Sequence, residues 1–241
     1  MDWYGCWGCQ HCLTVCPNGA ISVLGKNPKD SLPLPGPEIA TDLERLVCGR
    51  RSCRHYKDEN VDPELIDELL HTLEATPTGG NKQKMEFTVI DGKAELDKLR
   101  KMLCEGAEEL KKQGIFPHSW DAESFGIMEE RGSQAMNGDI YFCSAPHVII
   151  PHMPKKFGSA AVEVGITLAY FELLCESKGL GCVYLGFPMN VMKLLPDVWT
   201  KLGIPEDHFV ATAMGFGYPK FNYARGAQKS GKQAIHRLKF E

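Results

Sequence analysis

The chain has 241 residues, 43% hydrophobic and 24% charged, with a formal net charge of −4. That length permits one large domain or two modest ones, and the composition excludes a disordered or fibrous chain. The charge gives no general pull toward nucleic acid or an anionic membrane, and no apolar run reaches spanning length. Ten cysteines stand out. Met1-Asp2-Trp3-Tyr4 shows no basic region leading into an apolar one, so no signal peptide is expected. The expectation is a cytoplasmic protein with reduced thiols, some of which need a metal or cluster to explain them.

Four cysteines fall in the first sixteen residues, and Cys48, Cys53, Cys104, Cys143, Cys175 and Cys182 are scattered. Residues 25–37, GKNPKDSLPLPGP, have no apolar period and read as a linker. The chain thus divides into a small module with its linker, 1–36, and a main domain, 37–241. Residues 38–47 predict a short helix. Asp62 caps a second helix that has Pro63 at its first position and Leu65, Ile66, Leu69, Leu70 and Leu73 at helical spacing. The run 76–80, TPTGG, stops it. A strand follows at 85–90, then a charged amphipathic helix at 94–113. Residues 117–139 have weak periodicity and read as an excursion or lid. Residues 147–150 predict a β-branched strand. Residues 159–177 predict a helix apolar almost all round, hence buried and suited to a dimer core. Short strands are expected at 182–185 and 209–216. Strands interleaved with helices indicate an α+β or α/β sandwich.

Cys6-x2-Cys9-x2-Cys12-x3-Cys16-Pro17 is the spacing that wraps a cubane iron–sulfur cluster, with Pro17 ending the wrap. Asn18-Gly19-Ala20-Ile21 then leads into an expected apolar strand. Zinc sites usually use paired C-x2-C units with a longer spacer. The run resembles bacterial-type ferredoxin, implying a [4Fe–4S] cluster. In two-cluster ferredoxins the fourth cysteine of one run ligates the other cluster. By resemblance Cys6, Cys9 and Cys12 hold one cluster and Cys16 belongs to a second. Either Cys16 completes a single cubane, or Cys48 or Cys53 does, or a partner run lies upstream.

Arg50-Arg51-Ser52-Cys53-Arg54 offers guanidinium forks and a hydroxyl in consecutive positions, which suits a phosphate dianion. A solvated basic turn is the plainer reading. Followed by Val61-Asp62-Pro63, the run resembles the start of the nitroreductase family. Further matches come in family order: Ala75-Thr76-Pro77-Thr78-Gly79-Gly80-Asn81-Lys82-Gln83, Ala145-Pro146-His147-Val148-Ile149-Ile150, Gly179-Leu180-Gly181-Cys182-Val183-Tyr184-Leu185-Gly186 and Gly215-Phe216-Gly217-Tyr218-Pro219. The resemblance implies an α+β sandwich of mainly antiparallel sheet and helices that binds FMN. It places Arg51 and Ser52 at the phosphate, with Arg50 and Arg54 toward the ribityl and pyrimidine end. It implies that Pro77, Thr78, Gly79, Asn81 and Gln83 reach the flavin of a partner subunit, making a homodimer. Gly179, Gly181 and Gly186, around Leu185, are glycines that let backbone approach the ring system. Gly179 alone also reads as a helix stop. A late phosphate-binding cation falls on Arg225 or Lys229. After Gln83 the chain departs from the family with Lys84-Met85.

The implied activity is ping-pong electron transfer through FMN from NAD(P)H or reduced ferredoxin to a nitroaromatic, a quinone or a similar acceptor. No catalytic acid or base is needed. The alternatives are a redox sensor without turnover and reductive dehalogenation. Cys104, Cys143 and Cys175 read as packing residues. No histidine has metal-ligand spacing, so His118, His147, His152 and His208 read as structural or surface groups. Trp120, Tyr141 and Phe142 are candidates for shaping a substrate face.

Overall fold

The structure, a computed structural model, describes residues 8, 10–31, 39–117, 120–135, 138–221 and 233–240. Its elements in chain order are α1 (His11–Val15), α2 (Ile39–Gly49), α3 (Pro63–Thr72), β1 (Glu86–Ile90), α4 (Lys93–Lys112), α5 (Ala122–Ala135), β2 (His147–Pro154), α6 (Ala160–Ser177), β3 (Gly181–Tyr184), α7 (Gly186–Met192), α8 (Pro196–Lys201), β4 (His208–Phe209) and β5 (Met214–Gly217). The sheet runs β1-β2-β5-β3, with β4 added to β2, and all its ladders are antiparallel.

Strand β2 is the spine. Its HVIIPHMP sequence is buried from His147 to Met153, because helices cover both faces of the sheet. Period-two alternation sorts its side chains between two cores. Val148 and Ile150 join Leu96, Leu99 and Leu103 of α4 and Met189 and Met192 of α7. Ile149 joins Leu69 of α3, Val164, Leu168 and Phe171 of α6, and Phe216 of β5. Phe171 meets Phe216 edge-on at 5.1 Å. Burying each such side chain contributes about 1.5–3 kcal/mol.

The strand predicted at 209–216 is broken. Pairing of β2 with β5 stops at Ile149, and pairing with β4 begins at Met153. Pro151, which has no N–H to donate, falls between them. Ala213 turns its carbonyl to the Leu185 N–H, 3.0 Å away. The excursion predicted at 117–139 contains α5, whose first turn is held by Asp121 accepting from Ser124 N at 2.8 Å. Phe125 of α5 packs with Phe116, Trp120 and Phe187, so Trp120 belongs to a core cluster. Residues 20–22 form no strand, and among the described residues the pairing there is a single bridge between Val23 and Lys26. The linker carries a short 3₁₀ turn, Pro28–Asp30, on Asn27. Cys104, expected in apolar packing, is exposed on α4. Helix α6 turns one side to the core and leaves a second apolar stripe open, with Val162 64% and Tyr170 49% exposed. No helix of the described residues is long and apolar enough to cross a membrane.

His147 is fully buried. Its Nε2 accepts from Val61 N at 2.9 Å, and Nδ1 lies 2.9 Å from Asp91 Oδ1 and 3.1 Å from Gly92 N. Nδ1 faces both the Gly92 N–H, which donates to it, and the Asp91 carboxylate, to which only a protonated Nδ1 can donate. Burial lowers its pKa, against the opposite pull of Asp91. The unfolded chain therefore takes up a proton below pH 6.5, the ordinary histidine value, before the folded chain does. This stability is complete above pH 6.5 and is lost as the pH falls from there through the folded-state value. We expect the unfolding free energy from urea titration to fall on acidification, by up to about 1.4 kcal/mol per pH unit from this group. A His147→Gln variant should flatten that slope, and an unchanged slope contradicts the assignment.

Candidate functional site

The arginine run lies along the edge of β3. Ser52 bridges Cys182 in parallel, and Cys53 N donates to Cys182 O at 2.8 Å. The approach is so close that a Cβ on Gly181 would come within 2.7 Å of Cys53 Cβ. Gly181 is thus required by strand packing. Gly179 (φ 76) ends α6, with Leu180 N bonded back to Cys175 O at 2.9 Å. Gly186 has open space around it. The Leu185 side chain is buried in the core, which leaves only its backbone to any ligand.

Beside this edge is a cavity of about 540 Å³, whose polar lining includes Asp42, Arg45, Arg50, Arg51 and Glu176. The cations are unequal. Arg45 pairs with Asp42 at 3.3 Å. Arg50 Nε sits 2.8 Å from Glu172 Oε1, but its N–H is misaligned and makes no hydrogen bond, so the contact is Coulombic. Arg51 is exposed, and among the described residues its guanidinium has no ion-pair partner. Its backbone N–H serves Glu176, whose carboxyl is pushed up by burial against that bond. Arg54 is exposed near Cys143, whose thiol is pushed up to about 12, chiefly by burial. Ser52 is half-buried and does not line the cavity.

The loop carrying Pro77, Thr78, Gly79, Asn81 and Gln83 lies elsewhere. It borders a second cavity, of about 590 Å³, that shares no lining residue with the first. Asn81 and Gln83 both hold left-handed backbone (φ 52 and 49). Thr78 Oγ1 accepts from Gln83 N at 3.1 Å, and Gln83 Nε2 donates to Asn81 Oδ1 at 3.2 Å. Glu163 of α6, buried, anchors the loop by accepting from Gly79 N at 2.8 Å and from the Ser159 hydroxyl. A Cβ on Gly79 would press on Ser159 Oγ at 3.0 Å. Glu163, Glu172 and Glu176 were missed in the sequence. Three carboxylates in an otherwise apolar helix were the available signal, since buried charges need partners.

Two described residues within the cysteine run lie beside this loop. Gly8 and Gln10 line the second cavity with Pro77, Asn81 and Gln83. Both are left-handed (φ 65 and 59), as in a tightly wrapping loop. Cys16 Sγ accepts from Ala20 N at 3.3 Å, and its thiol is lowered by that bond first, then by backbone groups at Asn18, Ile21 and Gly19. Cys12 is exposed. Cys53, a candidate fourth ligand, is buried and donates to His55 O at 3.4 Å, which marks it as a packing residue. Cys6, Cys9, Arg225 and Lys229 lie outside the described residues.

The sequence profile of the Nitroreductase family matches residues 47–218. A candidate NADH dehydrogenase/NAD(P)H nitroreductase of Archaeoglobus fulgidus is 30% identical over 81% of this chain and 97% of its own. Iodotyrosine deiodinase 1 of Pongo abelii is 24% identical over 74% of this chain and 61% of its own. An FMN-bound nitroreductase structure from Desulfitobacterium hafniense superposes with a TM-score of 0.62 at 21% identity, covering 81% of this chain and 98% of that one. The chain belongs to the Nitroreductase family and is an oxidoreductase.

Proposed function

We propose that this protein is a cytoplasmic, homodimeric, FMN-dependent oxidoreductase that reduces nitroaromatic, quinone or similar acceptors and receives electrons through an N-terminal [4Fe–4S] module, residues 1–36, docked on the FMN-binding domain, 37–241. The observation that carries the reading is the packing of Gly8 and Gln10 on the Pro77–Gln83 loop. It supports a cysteine run lying near the residues that the family resemblance assigns to the flavin.

The residues fit both groups. For FMN, the first cavity supplies Arg51, whose guanidinium has no ion-pair partner among the described residues, and the buried, unbonded Nε–H of Arg50. Arg225 or Lys229 is proposed as a further phosphate cation. FMN, when bound, supplies hydride and one-electron transfer; the chain's part is to hold and tune it. Arg51 would bind the phosphate, with Arg50 biasing charge at the pyrimidine end; Ser52 and Arg54, given the same roles by the resemblance, do not line this cavity. The Thr78–Gln83 loop, with backbone near Gly181, Leu185 and Gly186, would close the ring site. For the cluster, the run Cys6, Cys9, Cys12 and Cys16 is the donor set, and backbone N–H groups already aim at Cys16 Sγ. The separation of the two cavities supports a site completed across a dimer. So does the open stripe of α6, since an exposed apolar face calls for a partner. Likeness to an iodotyrosine deiodinase favours one second reading, reductive dehalogenation on the same site. Turnover of a halogenated phenol but no nitroaromatic would select it.

The test is stopped-flow reduction of anaerobically reconstituted protein. Reduced ferredoxin should bleach the flavin of the unmodified chain, and Cys9→Ser should slow that phase at least tenfold. Equal rates in the two proteins, or fast bleaching of the variant by NADH, would sink the cluster route. Reducible flavin that no acceptor reoxidises would sink turnover and leave a sensor.

A further inference from the structure

Among the described residues, Glu86, His152 and His208 form a group of potential metal ligands whose donor atoms all lie within 4.8 Å of one another. The sheet register delivers them. Glu86 faces His152 across β1 and β2, and His208 faces Pro154 across β2 and β4. His152 and Pro154 are two residues apart on one strand, so they and their cross-strand partners share one face. Three strands thus bring a carboxylate and two imidazoles to one point. His152 is buried, His208 half-buried and Glu86 exposed.

His152 Nδ1 lies 2.8 Å from His208 Nδ1. The contact requires a proton on one nitrogen and a bare lone pair on the other. His152 Nε2 lies 3.0 Å from Thr88 Oγ1. With Nε2–H donating to that hydroxyl, Nδ1 of His152 is the bare nitrogen. Metal-binding imidazoles are commonly oriented in this way, by a hydrogen bond from the nitrogen that does not bind the ion. Burial, then the neighbouring His208 ring, holds His152 below the ordinary histidine range, which suits a ligand that binds without its proton.

We propose that His152 Nδ1, His208 Nδ1 and the Glu86 carboxylate bind a divalent ion of the zinc class, with a fourth position left to water. Two imidazoles with one carboxylate match zinc, whereas magnesium and calcium prefer all-oxygen sets. Two nitrogens on one tetrahedral zinc stand about 3.3 Å apart. The imidazoles must therefore separate by about half an ångström from their contact distance. The proton between them moves to His208 Nε2, so both rings stay neutral. His208 also borders a cavity of about 520 Å³, which gives an ion its way in. Lys155 lines that cavity too, but its Nζ is held on Glu206 O at 2.6 Å. The bound ion clips the two-residue strand β4 to the paired ends of β1 and β2.

The test is a zinc titration by calorimetry on the full chain after chelator treatment. A background with Cys6, Cys9, Cys12 and Cys16 changed to Ser removes competing thiols. One zinc per chain is expected, raising the thermal midpoint by about 5–10 °C at a hundredfold excess over Kd. His208→Gln should weaken binding at least a hundredfold. Glu86→Gln, on an exposed side chain that cannot unfold the protein, should weaken it at least tenfold. Anomalous diffraction from zinc-soaked crystals of the unmodified chain should place the ion between His152 and His208. No binding heat, unchanged affinity in either variant, or zinc found only elsewhere would overturn the proposal and leave the histidines as a simple hydrogen-bonded pair.

Discussion

Asp139→Ala is expected to lower the stability of the protein by about 3–5 kcal/mol, the usual cost of removing one partner from a buried charged network. Asp139 is only 7% exposed and leaves no lone pair idle. It accepts from Arg100 Nη2 at 2.9 Å and from the backbone N–H groups of Tyr141 (3.1 Å), Phe142 (3.1 Å) and Ser144 (2.9 Å). The turn it holds is strained, since Cys143 (φ 55) and Ser144 (φ 59) are both left-handed. The turn leads directly into β2, beside two tight glycine contacts of the sheet. A Cβ on Gly215 would come within 2.9 Å of Ala145 Cβ, and one on Gly217 within 2.5 Å of Pro146 Cγ. Those contacts leave the chain little room to relax when the carboxylate is gone. Asp139→Asn keeps the shape but loses the charge and one acceptor, so its loss should be intermediate. Urea unfolding followed by tryptophan fluorescence measures both. A loss under about 1 kcal/mol for the alanine variant would mean that water replaces the carboxylate, and that the turn is held by the strands around it.

That network was not legible in the sequence, and the reason is general to this chain. The cap of α3 was legible because Asp62 and Pro63 act on their own neighbours, and Asp62 indeed accepts from Glu64 N at 2.9 Å. The long helices α4 and α6 and the spine β2 were legible because their apolar patterns repeat. Helices α7 and α8 were not. Each is about two turns or less, too short to hold alone, and forms because Met189, Val191, Met192 and Val198 enter the core. In the site, the basic run and the loop glycines could be read from local chemistry. Their partners could not: Arg50 meets Glu172, and Gly79 meets Glu163, across long stretches of chain. Spacing likewise gave no hint of His152 and His208, which only the antiparallel register brings together.

The same division of partners predicts opposite outcomes at neighbouring arginines. Arg51→Ala is expected to weaken FMN binding about 10- to 150-fold, as fits the loss of a charge-assisted hydrogen bond worth roughly 1.5–3 kcal/mol. It should leave the thermal midpoint of the flavin-free protein nearly unchanged. Its guanidinium is exposed and pairs with no carboxylate among the described residues, so the free protein has little invested in it. Arg50→Ala should behave differently. Glu172, with a side chain only 9% exposed, would lose its cation and remain beside Glu176, a carboxylate already raised by burial. The flavin-free protein should therefore unfold at lower temperature, in addition to any loss of flavin affinity. Adding Glu172→Gln should restore the midpoint of the Arg50 variant, because the amide needs no counter-charge, and should do nothing for the Arg51 variant. Fluorescence titration with FMN and thermal unfolding without it separate the two effects. If Arg51→Ala binds FMN as tightly as the parent chain, the phosphate site is not at this cavity. If both variants lose stability equally, the two guanidiniums are not divided between structure and ligand.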